Sequence, residues 1–113
     1  MAQAEILDQL RPGMRFADIP RIGQAALRRQ GADLSVSFTP HSVGLFHTDH
    51  PQPSLVAPRR PEDLLVEEDM ILSIDCPVFM AGLGGTVHLE DLVHIRGGRA
   101  EPIHPVPPPI IIV

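Results

Sequence analysis

The chain has 113 residues, a net charge of −5, no lysine, and four aromatic residues that are all phenylalanine. That length allows one domain, which on folding alone buries roughly two-thirds of its unfolded surface in a core of Leu, Ile, Val and Ala. The acidic balance has the wrong sign for neutralising phosphates, which excludes nucleic acid as an expected partner.

The N-terminus, "MAQAEILDQLRPG", carries Glu5 and Asp8 where a secretory or transit sequence needs basic and apolar character. Ile6, Leu7 and Leu10 fall at helical spacing, so the pattern predicts a helix over 2–10 that "RPG" then stops. A second helix is predicted in "FADIPRIGQAALRRQGA", with Asp18 as its cap, Pro20 in the first turn, Ile22, Ala26 and Leu27 on one face, and an end at Gly31. Leu34, Val36 and Phe38 alternate, which predicts a strand over 34–38.

Residues 39–63 hold five prolines and read as loop, with a short strand around 54–57, while "RRPEDLLVEEDM" reads as a solvated surface turn. "MILSIDCPVFM" has the content of a buried strand, "AGLGG" breaks it, and "TVHLEDLVHIR" resumes a strand up to Gly97 and Gly98. This is a β-hairpin signature, with Gly84 and Gly85 serving the turn. The tail "EPIHPVPPPIIIV" predicts an extended edge or a docking strand rather than a helix. No apolar run approaches the roughly 18 residues of a membrane span, so no membrane partner is expected. Cys76 is the only cysteine, which excludes an internal disulfide and fits a cytoplasmic protein.

Centring the hairpin on the Gly82–Leu83 peptide puts Asp75 opposite Glu90, both on one face. Like charges at that separation, roughly 4.5–5.5 Å between Cβ atoms, repel, so either one carboxyl is protonated or a cation lies between them. A divalent metal is the economical answer, and an imidazole added to two carboxylates suits manganese, cobalt, zinc or iron. Period two places His88 beside Glu90 and turns Asp91 the other way. His41, just past the 34–38 strand, is the nitrogen ligand that a loop brings over the same face. His50, His94 and His104 read as ordinary polar residues, and Cys76, facing away from Asp75, as an inert buried thiol.

At these positions the chain resembles the C-terminal half of the pita-bread metallohydrolases, the superfamily of creatinase, aminopeptidase P, prolidase and methionine aminopeptidase. "PHSVGLFHTDHP" is similar to that family's "GHGIGLEVHE" segment, which implies His41 as a metal ligand and His47 as a substrate-facing histidine. "LSIDCPVF" is similar to the "xIEPGxY" strand, with Asp75 where many members have Glu. "GGTVHLEDLV" is similar to the "GGxRxED" strand, which implies Glu90 as a bridging ligand and places His88 in the usual Arg or His position. "HTD" and "DCP" are closer to the Xaa-Pro peptidase branch than to methionine aminopeptidases.

The resemblance implies an α+β fold of two helices on a curved, mainly antiparallel β-sheet, over 1–104, with 105–113 a Pro-rich apolar tail. It implies a metal-dependent Xaa-Pro aminopeptidase or dipeptidase, with manganese the foremost metal and a substrate with proline at its second position. Two further ligands in that family are aspartates of one upstream strand; Asp8 and Asp18 have similar spacing but lie in predicted helices and cannot share a strand face. Three of five expected ligands are therefore present, as in a truncated or split C-terminal half that is inactive alone and completed by an N-terminal half or a second copy. A non-catalytic peptide- or protein-binding module derived from the same fold is the alternative, and a mononuclear metal enzyme of another reaction class comes last.

Overall fold

The computed structural model describes residues 2–32, 34, 36–45, 64–78 and 84–104. Helix α1 (Ala2–Gln9) buries Ala2, Gln3 and Ile6, with Leu10 fully enclosed one residue beyond its end. Eight residues are too few to be helical in isolation, so α1 depends on that packing. The turn after it is made by Gly13, whose φ of +86° is open to glycine at little cost.

Helix α2 (Asp18–Arg29) starts where expected, but Asp18 does not cap it through its own turn. Its carboxylate instead accepts the Arg15 N–H, 3.2 Å, and pairs with Arg21. At the other end Gly31, at φ +68°, donates to the Arg28 carbonyl and Ala32 donates to that of Leu27. These two bonds form a Schellman ending, which explains why the helix stops at this glycine. Asp18 in the first turn and Arg28 and Arg29 in the last match the helix dipole. Arg29 also pairs with Glu5 of α1, a surface contact worth at most about 1 kcal/mol.

Four strands, β1 (Thr39–Ser42), β2 (Ile71–Val78), β3 (Val87–Arg96) and β4 (Arg99–Pro102), form an antiparallel sheet in chain order. Strand β1 corrects the expectation of a strand over 34–38. Val36 makes only an isolated bridge to Val78, and Phe38 lies buried against α2. The alternation there reflects burial, whereas the ladder begins at Thr39. Pro40 did not prevent it because β1 stands at the edge of the sheet among the described residues. Pro77 lies past the β1 ladder, which ends where Thr39 meets Asp75.

The hairpin register is the expected one, from Ile71 opposite His94 to Val78 opposite Val87. Gly97 and Gly98, at φ +61° and +76°, make the two-residue turn into β4, and both backbone N–H groups donate to the Glu68 carboxylate. A second correction concerns the expected solvated turn over 59–70, of which 64–70 are described: Glu67, Glu68 and Asp69 are exposed as expected, but Leu64 and Val66 are not. These two are core residues, held by hydrogen bonds between residues 13–16 and 64–66, and only Leu65 between them is outward.

Alternation divides the sheet into two faces. Leu72, Ile74, Cys76, Val93 and Ile95 are buried with Ile6, Leu10, Phe16, Ile19 and Ala26 in one core. Each fully buried aliphatic side chain contributes about 1.5–3 kcal/mol. The other face carries His41, Ser73, Asp75, His88 and Glu90. The observed class is α+β, as expected. Among the described residues no helix is long and apolar enough to cross a membrane. The expected strand at 54–57 and the tail at 105–113 lie outside the described residues.

Candidate metal centre

The middle strand β2 and its two neighbours bring the site together. Thr39 and Glu90 are both register partners of Asp75, and His41 is the register partner of Ser73. Three donors, His41, Asp75 and Glu90, offer ligand atoms that all lie within 4.8 Å of one another. The His41 ring is buried, Asp75 is half-buried and Glu90 is exposed, so the cluster runs from the sheet interior to its rim.

One oxygen of Asp75, Oδ2, lies 3.5 Å from His41 Nε2 and 4.0 Å from His88 Nε2. His41 Nδ1 lies 3.2 Å from the Ser42 carbonyl. A carbonyl only accepts, so Nδ1 is the donor in that contact, and in the neutral ring the Nε2 lone pair lies on the Asp75 side. An imidazole tied to a backbone carbonyl through one nitrogen, with the other beside two carboxylates, is the arrangement of a metal-ligating histidine. The donor set, one nitrogen and two oxygens, fits a divalent transition metal.

The reading of His41 as a loop residue is thereby corrected: it belongs to strand β1, and its position is fixed by the ladder. Asp75 and Glu90 face each other as expected, and His88 shares their face. His94 is drawn off to Asp69, 3.5 Å away, and His104 is exposed. His47 and His50 lie outside the described residues. Asp91 faces the helix side with Cys76, whose thiol is pushed up to about 12, first by burial and then by the negative charges of Asp75 and Asp91. Asp8 and Asp18 sit in helices and take no part in the cluster.

Sequence reasoning missed Ser73. Its hydroxyl lies 2.6 Å from Asp75 Oδ1 and 2.7 Å from Glu90 Oε1. The signal was present, because a residue two positions before Asp75 in a strand must share its face.

The family model of metallopeptidase family M24 matches residues 1–97. The chain belongs to metallopeptidase family M24. Its fold is shared with solved members of the pita-bread type: a dipeptidase from Pyrococcus horikoshii (20% identity, TM-score 0.76, 99% of this chain) and a Xaa-Pro dipeptidase from Bacillus anthracis (21%, 0.76, 99%). A prolidase from Pyrococcus furiosus is similar over 95% of the chain, with 23% identity and a TM-score of 0.71. In each case the chain spans only about 30% of the solved structure's length, so what is seen is part of a pita-bread domain. No curated protein sequence matches significantly. In this M24 fold the two helices lie on one side of the sheet and the polar cluster on the other.

Proposed function

We propose that this chain supplies one half of the active site of a metal-dependent Xaa-Pro peptidase. The observation that carries the proposal is the convergence of His41, Asp75 and Glu90 on one sheet face. These three would hold a divalent metal, with manganese the first candidate and cobalt, zinc or iron the others. When bound, such a metal polarises the scissile carbonyl and lowers the pKa of the attacking water.

Around it the chain's own residues have separate tasks. His41 and Glu90 come from different strands, so the sheet ladder sets the ligand spacing. His88, half-exposed beside Asp75, is positioned to exchange a proton with substrate or to orient it. His47 is assigned to the substrate carbonyl and its developing oxyanion. The substrate is a peptide with proline at its second position.

The remaining ligands come from a further segment, either an N-terminal half or a second copy in a homo-oligomer. We assign 1–104 to the C-terminal half of the pita-bread domain and 105–113 to a Pro-rich tail. The test is to mix the chain with a cognate upstream half and assay Mn²⁺-dependent cleavage of Xaa-Pro dipeptides. Cleavage that disappears with Glu90→Ala supports the proposal. No cleavage with manganese, cobalt, zinc or iron overturns it.

A further inference from the structure

Ser73 is the most deeply buried polar side chain among the described residues, with no exposed surface. Its partners are unusual for a buried hydroxyl. It reaches Asp75 two positions along its own strand and Glu90 seventeen positions away on the next. Its register partner on that next strand is Leu92, so Glu90 meets it along the diagonal.

A hydroxyl that needed only to be satisfied would take one acceptor. This one stands between two acidic side chains and has a single proton to donate, so it cannot serve both fully at once. Its oxygen nonetheless lies within hydrogen-bonding distance of one oxygen of each, so the single proton is shared between them. Asp75 Oδ1 is held at Ser73, which leaves Oδ2 as the oxygen beside His41 Nε2.

We propose that Ser73 is a positioning residue of the metal centre. Its hydroxyl shares one proton between Asp75 and Glu90 and keeps both side chains beside it, so that their remaining oxygens and His41 Nε2 meet a divalent cation already arranged. The inference rests on the reading of His41, Asp75 and Glu90 as ligands. It adds a residue that does not touch the cation but determines how well two ligands do.

The test is a calorimetric titration of the metal-free full chain with Mn²⁺, comparing wild type with Ser73→Ala, Ser73→Thr and Ser73→Val. Threonine and valine have nearly the same shape and differ by the hydroxyl, so packing effects cancel between them. Loss of an outer partner of this kind weakens metal binding about 10–100-fold, which is the expected drop for Ser73→Ala and for Ser73→Val relative to Ser73→Thr. The metal-free valine variant is expected to melt below the threonine variant, because the carboxylates lose a buried donor, so the titrations are compared at a temperature where both are fully folded. If valine binds Mn²⁺ as tightly as threonine, the positioning role is overturned while the ligand assignment stands. If wild type binds no Mn²⁺, the ligand assignment falls and this inference with it. If alanine alone fails to fold, the threonine–valine comparison decides; if all three variants unfold, Ser73 belongs to the packing of the sheet and the proposal fails.

Discussion

Asp75 and Glu90 stand directly opposite each other on adjacent strands, two acidic side chains in one cross-strand pair. Like charges directly opposite one another destabilise a sheet, so the presence of this pair points to a use other than stability. Replacing Glu90 with Gln is therefore expected to act in opposite directions on two measurements. The metal-free melting temperature rises slightly, because the repulsion is removed. Mn²⁺ protection disappears, whereas in wild type a hundredfold excess of Mn²⁺ over its dissociation constant adds about 2.7 kcal/mol to stability. Thermal melts with and without Mn²⁺ check both signs.

His41 and His88 flank the same Asp75 oxygen but differ in burial, and their substitutions are expected to separate binding from turnover. His41→Ala abolishes Mn²⁺ binding in a calorimetric titration. His88→Ala leaves that binding intact and lowers kcat of the complemented enzyme by about 10²-fold or more, the usual contribution of a proton-transferring group. Equal loss of metal affinity in both variants would contradict this division.

Gly23 sits where α2 crosses the Phe38 ring, and an added Cβ would stand 2.6 Å from that buried ring. Alanine gains about 1 kcal/mol in helix propensity, against an overpacking cost of about 1–3 kcal/mol. The packing cost wins, because the ring is enclosed and has to move. Gly23→Ala is expected to lower stability by about 1 kcal/mol, a fall of about 4–8 °C in a domain of this size. Phe38 leads directly into β1, so a weakened His41 position, read as poorer Mn²⁺ affinity, accompanies the loss.

Cys76 gives a pH dependence with a definite sign. Its thiol moves from 9.0 in the unfolded chain to about 12 in the fold, chiefly through burial. The folded state thus holds a proton that the unfolded state releases. The stabilisation is fully present below pH 9 and is lost as pH rises toward about 12, at roughly 1.4 kcal/mol per pH unit. The chain has no lysine and no tyrosine, so no other side chain competes in this window. Metal-free melts between pH 8 and pH 11 are expected to show a steep fall in wild type and a shallow one in Cys76→Ala, although the variant starts lower for want of packing.

The strongest sequence signals were those written in turns and alternation. "AGLGG" and the β-branched flanks were enough to pair Asp75 with Glu90, and Gly31 was enough to end α2. Where the reading failed, two demands had been merged into one pattern. Val36 and Phe38 alternate because they pack inward, yet the hydrogen-bonded ladder starts at Thr39, and the prolines after it disguised an edge strand as loop. Leu64 and Val66 were hidden by the charges around them, since burial there comes from residues 13–16, about fifty positions away. Ser73 was overlooked because serine is common in strands for no chemical reason, and only the register shows two carboxylates meeting at its hydroxyl.

The even and odd positions of β2 answer to different physical demands. Leu72, Ile74 and Cys76 fill the interior, while Ser73, Asp75 and Pro77 face the cluster. Such a strand can have one set substituted without touching the other, so the polar cluster can be altered while the packed face keeps its shape. It cannot gain or lose a single residue, however, because a shift by one would send carboxylates into the interior and leucine to the polar cluster. The length of this hairpin is thus tied to the geometry of the proposed metal centre.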